Sequence, residues 1–165
     1  MKKRLTLTLD QKLSKNILKS NADVLVVGVN EGRTLNSSSK EIDSATNGSI
    51  KELMKRGEFE AKVGQTAYIA TNEGTKADRI FLIGLGKSNT ALNNEDMDKI
   101  SSSVTSVLTS KKSAVGLVAL PAMKYDSKDH SDSSLLQKLG TSLENKSYTY
   151  DAKLNKKNKS INYLK

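Results

Sequence analysis

Short apolar runs alternate along the chain with stretches in which apolar residues recur every three or four positions. Leu5, Leu7 and Leu9 alternate with Thr6 and Thr8, the period-2 pattern of a half-buried strand. Asp23 to Val29 contains an unbroken apolar run rich in valine, which predicts a central strand covered on both faces. After a polar loop, Ser38 and Glu41 have the spacing of a capping box. The helix predicted from there carries Ile42, Ala45, Ile50, Leu53 and Met54 on one side, and Gly57 closes it. Gly48 inside it costs about 1 kcal/mol relative to alanine and predicts a local kink.

Gly64 to Ala70 predicts a strand, Asn72 to Thr75 a turn, and Arg79 to Gly84 a further strand. Gly84 and Gly86 then read as a tight exit from that strand. Asn93 or Asn94 caps the next helix, whose first turn holds Glu95, Asp96 and Asp98, where the helix dipole favours negative charge. Met97, Ile100, Val104, Val107 and Leu108 follow at helical spacing, and Lys111 and Lys112 sit at its C-terminus. Ala114 to Leu120 is a buried strand stopped by Pro121. Leu135, Leu136, Leu139 and Leu143 mark a third helix, and from Tyr148 the chain reads as a polar tail until Ile161–Leu164 starts another strand. Strands alternating with helices predict one α/β domain over residues 1–165, a three-layer α/β/α sandwich. The Leu/Thr alternation of the first strand places it at an edge or antiparallel, so the sheet is expected to be mixed and mostly parallel.

Composition removes several chemistries. The chain has 165 residues, no cysteine and a single histidine, His130, so disulfides, cysteine-based zinc or redox sites and multi-histidine sites within one chain are excluded. Its net charge of +9 invites a nucleic-acid reading. The excess is confined to the ends: residues 21–146 carry 16 basic and 16 acidic residues. Two solvated basic ends are the plain account, and a binding face requires those ends to lie together. Lys2-Lys3-Arg4 ahead of Leu5–Leu9 imitates the start of a signal peptide, but the apolar part is too short and too polar. No apolar run approaches the roughly 18 residues of a membrane span, so a soluble, cytoplasmic protein is expected.

Candidate chemistry is sparse. Gly84-Leu85-Gly86-Lys87-Ser88 lies between a strand and a helix, the context of a phosphate loop. A Walker A loop needs glycine where Phe81 stands, and a dinucleotide fingerprint needs it where Asn89 stands. His130, with Asp126, Asp129 and Asp132 nearby, has no serine elbow to serve. Glu58 and Glu60 sit beside Arg56 and Lys62, and Glu95, Asp96 and Asp98 belong to a helix start, so neither set has the spacing of a cation loop. Tyr148, Tyr150 and Tyr163 flank Lys153, Lys156, Lys157 and Lys159, a weak match to a single-strand binding surface. These readings assign no catalytic, cofactor-binding or metal-ligating residue.

Three stretches in fixed order carry a resemblance. They are Val24–Val29, Glu41–Thr66 with its core from Arg56 to Thr66, and Arg79–Lys87. Together they resemble the N-terminal domain of the leucyl (cytosol) aminopeptidase family. The resemblance implies a macro-domain-like α/β fold and a longer, hexameric parent. In that parent a C-terminal domain, absent from this chain, holds two divalent metals, zinc or manganese, and removes N-terminal residues from peptides. The family signature N-T-D-A-E-G-R and its metal-binding lysine, aspartates and glutamate have no counterpart here, so the chain is expected to be an inactive piece whose partners are its own catalytic domain and other copies of the parent. The alternatives are a stand-alone nucleotide or ADP-ribose binder and a DNA-binding module using the basic ends.

Overall fold

A computed structural model describes residues 6–9, 17–19, 21–32, 34–70, 74–110, 115–121, 123–153 and 162–163. The strands are β1 (Thr6–Leu9), β2 (Val24–Glu31), β3 (Thr66–Ile69), β4 (Ile80–Lys87), β5 (Val115–Ala119) and β6 (Asn162–Tyr163). The helices are α1 (Ser37–Ala45), α2 (Ser49–Lys55), α3 (Asn94–Ser110) and α4 (Asp132–Lys153), with a single 3-10 turn at Ile17–Lys19. The strands form one six-stranded sheet in the order β3-β4-β2-β5-β1-β6. All neighbours are parallel except β3, which runs antiparallel to β4.

Period-2 alternation divides the core between the two faces of the sheet. Val24 and Val26 of β2 and Ile83 and Leu85 of β4 join Met97, Ile100, Val104 and Leu108 of α3 and Leu135, Leu139 and Leu143 of α4. Leu25, Val27 and Val29 of β2 and Ile80 and Leu82 of β4 face the other way, toward Ile17, Ile42, Ile50 and Phe59. The three-layer α/β/α sandwich with a mixed, mostly parallel sheet is therefore the fold of this chain. Among the described residues, no helix is long and apolar enough to cross a membrane.

Several local expectations are corrected. β1 is neither antiparallel nor at the edge: it lies between β5 and β6 and runs parallel to both. Alternation reports how much of each strand face is covered, and it does not encode strand direction. The antiparallel edge strand is β3, where Tyr68, 48% exposed, rests its ring 5.1 Å from Phe81.

The first long helix is two helices. Asn47 (φ 54°) and Gly48 (φ 80°) both adopt left-handed backbone, and the Gly48 N–H turns back to the Asp43 carbonyl at 2.7 Å. The buried Asp43 carboxylate then accepts the Lys51 N–H at 3.1 Å, which serves the start of α2. The α1 cap is Asn36 and not Ser38. Its Oδ1 accepts the Ser39 N–H at 3.0 Å, while its Nδ2 donates to the Gly28 carbonyl at 2.8 Å and ties the helix start to β2. At the end of α2, the Gly57 N–H reaches Met54 O and the Glu58 N–H reaches Leu53 O, the paired bonds of a Schellman turn with Gly57 at φ 72°. Downstream, α4 continues through Tyr148, where the sequence suggests a tail. Lys111, Lys112 and Asn72 lie outside the described residues.

Candidate functional site

The passage from Phe59 to Gln65 lies along the end of β4 and organises this side of the molecule. Its residues alternate: Phe59 and Ala61 are fully buried, while Glu58, Glu60 and Lys62 are exposed. Backbone bonds join it to β4, from Gly64 N to Gly84 O (2.9 Å), Gly84 N to Gln65 O (2.7 Å) and Gly86 N to Ala61 O (2.9 Å). A Cβ on Gly84 would stand 2.0 Å from the Lys62 carbonyl oxygen. Gly84 and Gly86 are thus not a tight exit. β4 runs on to Lys87, and the missing side chain at Gly84 lets another backbone pass.

This contact also disposes of the phosphate-loop geometry. The N–H groups of Gly84 and Gly86 that could cradle an anion are spent on Gln65 and Ala61. α3 begins only at Asn94, and its first turn is closed by a reciprocal cap, with Asn93 Oδ1 accepting from Asp96 N (2.9 Å) and Asp96 Oδ2 accepting from Asn93 N (3.2 Å).

In open α/β sheets the usual ligand position is the crevice beyond the C-terminal ends of the parallel strands, where successive connections leave in opposite directions. Here the chain runs from β2 outward to β4 and from β5 outward to β6, so that position lies beyond the ends of β2 and β5. Within β2, apolar side chains pack the sheet face at Gly28. A Cβ on Gly28 would meet Leu85 Cδ1 at 2.7 Å, Leu120 Cδ2 at 2.9 Å and Pro121 Cδ at 3.1 Å, and both leucines are buried.

The charged candidates pair among themselves. Arg56 Nε binds Glu52 at 2.9 Å, and its Nη1 lies 3.8 Å from Glu58. Lys62 and Glu60 form a close ion pair, and the hydrogen bond that Lys62 donates to Glu60 raises the Lys62 pKa. Glu95 and Lys99 stand 2.7 Å apart, so the Glu95 carboxyl is lowered and the Lys99 ammonium raised by that shared hydrogen bond. Asp98 takes Lys138 of α4 at 2.5 Å. The shallow groove between the Val63–Gly64 turn and α3 is lined by these partnered groups and by Ser102 and Ser103.

His130 Nδ1 lies 2.6 Å from Asp126 Oδ1, and the Tyr125 hydroxyl donates to Asp132 Oδ1 at 2.5 Å. Ser131 Oγ accepts the Ser134 N–H at 3.2 Å and so caps α4, while Ser134 Oγ donates to the Asp129 carbonyl. The loop binds itself and the helix start, and among the described residues His130 is bonded to Asp126 and to no hydroxyl. Among the described residues, no group of three or more His, Cys, Asp or Glu side chains could hold a metal ion. Of the tyrosine–lysine run, 154–161 lies outside the described residues.

What is distinctive here is the docking of the Arg56–Thr66 passage on Arg79–Lys87, and both pieces fall within one family match. The model of the cytosol aminopeptidase family, N-terminal domain, matches residues 26–157. The chain belongs to this family. The cytosol aminopeptidase of Pseudomonas aeruginosa is 37% identical over 113 residues, which is 68% of this chain and 23% of that protein. A probable cytosol aminopeptidase of Paraburkholderia xenovorans is 38% identical over 74 residues, 45% of this chain and 15% of its own length. The chain therefore spans about a quarter or less of the curated relatives it matches. A solved tomato leucine aminopeptidase mutant superposes with a TM-score of 0.62 at 17% identity, covering 97% of this chain and 32% of that one. The macrodomain of Mycobacterium tuberculosis DarG gives a TM-score of 0.56 at 16% identity over 78% of this chain and 86% of its own. These two likenesses establish the fold, which is macro-domain-like.

The sequence patterns missed Asn36, whose two-sided role depends on Gly28, and Gly84, whose role depends on a backbone some twenty residues upstream. The paired glycines flagged the second position without indicating its reason.

Proposed function

We propose that residues 1–165 act as the non-catalytic N-terminal domain of a cytoplasmic leucyl aminopeptidase. The parent would release N-terminal amino acids from peptides with two divalent metals, zinc or manganese, held in a C-terminal catalytic domain, and would assemble as a homo-hexamer. The observation that carries this reading is the family match over residues 26–157. In such a parent two bound metals would supply the chemistry of polarising the scissile carbonyl and activating a water. This domain's residues would serve assembly and access. The test is an assay of the isolated chain with leucine p-nitroanilide and manganese. No turnover above buffer is expected, and turnover that follows the chain through purification overturns the reading.

A second reading, a nucleic-acid surface, draws on one specific observation. β1 and β6, which come from the two basic ends, pair directly in the register Thr6–Asn162 and Leu7–Tyr163. Charge from both ends would then act together, and DNA affinity would fall steeply with salt. Neutralising Lys153, Lys156, Lys157, Lys159 and Lys165 is the test, and unchanged affinity sinks it. An ADP-ribose site has less support, because the Gly84 and Gly86 N–H groups are already bonded to Gln65 and Ala61. Calorimetry with ADP-ribose is expected to register no heat.

A further inference from the structure

We propose that Asn47 is a built-in deamidation site, at which the α1–α2 junction converts spontaneously to aspartate and isoaspartate. Among the asparagines of the sequence, Asn47 alone is followed by glycine. Glycine carries no side chain to hinder attack by its own nitrogen on the preceding carboxamide, and it leaves the backbone free to turn into the attacking geometry. Asn47 is exposed and sits in left-handed backbone at φ 54°, with Gly48 at φ 80° and nothing within 4 Å of where a Gly48 Cβ would stand.

Among the described residues, the fold holds several of the other asparagines by their side chains and does not hold Asn47 so. Asn36 is held through both amide atoms, to Ser39 N and Gly28 O. Asn93 is held by Asp96 N, and Asn30 Nδ2 donates to Gly86 O at 3.3 Å. What restrains Asn47 is the neighbouring backbone. The Gly48 N–H donates to Asp43 O at 2.7 Å, so its nitrogen must leave that bond before it can attack.

The step balances with water as the only co-reactant. The Gly48 nitrogen bonds to Asn47 Cγ, the Cγ–Nδ2 bond breaks, and ammonia departs with the proton from the Gly48 nitrogen. Water then opens the cyclic imide. Cleavage at Cγ gives aspartate, and cleavage at the main-chain carbonyl gives isoaspartate, which inserts a methylene into the backbone. Isoaspartate cannot keep the turn that delivers Gly48 N to Asp43 O and Lys51 N to Asp43 Oδ1, so the start of α2 loosens.

The test is a time course of the whole chain at mildly alkaline pH, read by peptide mapping and by isoaspartate methyltransferase labelling. The amide-to-acid mass change and the methyl label are expected first in the peptide containing Asn47. Gly48→Ala should slow both by an order of magnitude or more. Asp43→Ala, which frees the start of α2, should accelerate them, because opening of the junction then limits the rate less. Conversion that appears equally at Asn36 or Asn93, or that is indifferent to Gly48→Ala, overturns the proposal. So does an Asn47 peptide that keeps its amide while a short synthetic copy loses it.

Discussion

Gly84 and Gly57 are both glycines at the ends of motifs, and the structure gives them different reasons to be glycine. Gly57 needs only its positive φ: a Cβ there meets nothing within 4 Å, so Gly57→Ala is expected to cost about 1 kcal/mol. Gly84 has no positive φ but no room either, because the Lys62 carbonyl lies 2.0 Å from the position a Cβ would take, with Ala61 atoms at 2.6 and 2.7 Å. Backbone cannot swing aside as a side chain can. Gly84→Ala must push the Phe59–Gln65 passage off β4 and break its three backbone bonds, at about 3 kcal/mol or more. Urea midpoints of the two variants check this, and equal losses would mean that the passage does not bear on β4. The same passage carries the exposed ion pair of Lys62 with Glu60. That pair lies on the solvent side of the passage and adds little to stability.

At the level of elements, the sequence was legible wherever a pattern and its cause lie within one segment. β2 reads as central because its valines cover both faces, and α3 reads as a helix because Met97, Ile100, Val104 and Leu108 keep the helical period. It was illegible where the deciding partner is distant. The direction of β1 depends on β5 and β6, whereas the break between α1 and α2 falls at the Gly48 kink that the sequence flags, with Asp43 serving both sides of it. The loop before α4 shows the same dependence and carries a pH signature. Burial first, and then the bond to Asp132, raise the Tyr125 phenol above its ordinary pKa of 10.0. The unfolded chain releases this proton near pH 10.0 while the folded loop retains it, so the folded state binds more protons above that pH. Its stabilising effect is therefore fully present below pH 10.0 and is lost as pH rises beyond it. Chemical denaturation across the alkaline range should show Tyr125→Phe falling less steeply than the parent chain. Parallel slopes would mean that neither burial nor the bond to Asp132 raises the phenol in solution.

At the scale of the whole molecule, among the described residues the two hydrophobic clusters share the sheet. Ile42 packs with Leu25, Val27 and Leu82 under one face, and Ile100 packs with Val24, Val26 and Ile83 under the other, so neither touches the other's cluster. Each face is built on alternate residues of the same strands, β2 and β4, so loss of one face strips those strands of half their burial. The two faces should therefore unfold together although their side chains never meet. Ile42→Val and Ile100→Val each remove one buried methylene, at about 0.5–1.5 kcal/mol. Because they share no contact, the losses are expected to add to within about 0.5 kcal/mol in the double variant. All three variants should keep one denaturant transition with the slope of the parent chain, since the surface exposed on unfolding is unchanged. Circular dichroism and tyrosine fluorescence, followed through the same titration, distinguish the outcomes. Coincident curves mean one cooperative sandwich. If Ile42→Val moves a transition that Ile100→Val leaves in place, the α1–α2 layer is a separate unit resting on the sheet, and the docking of the Arg56–Thr66 passage on β4 does not couple it to the rest.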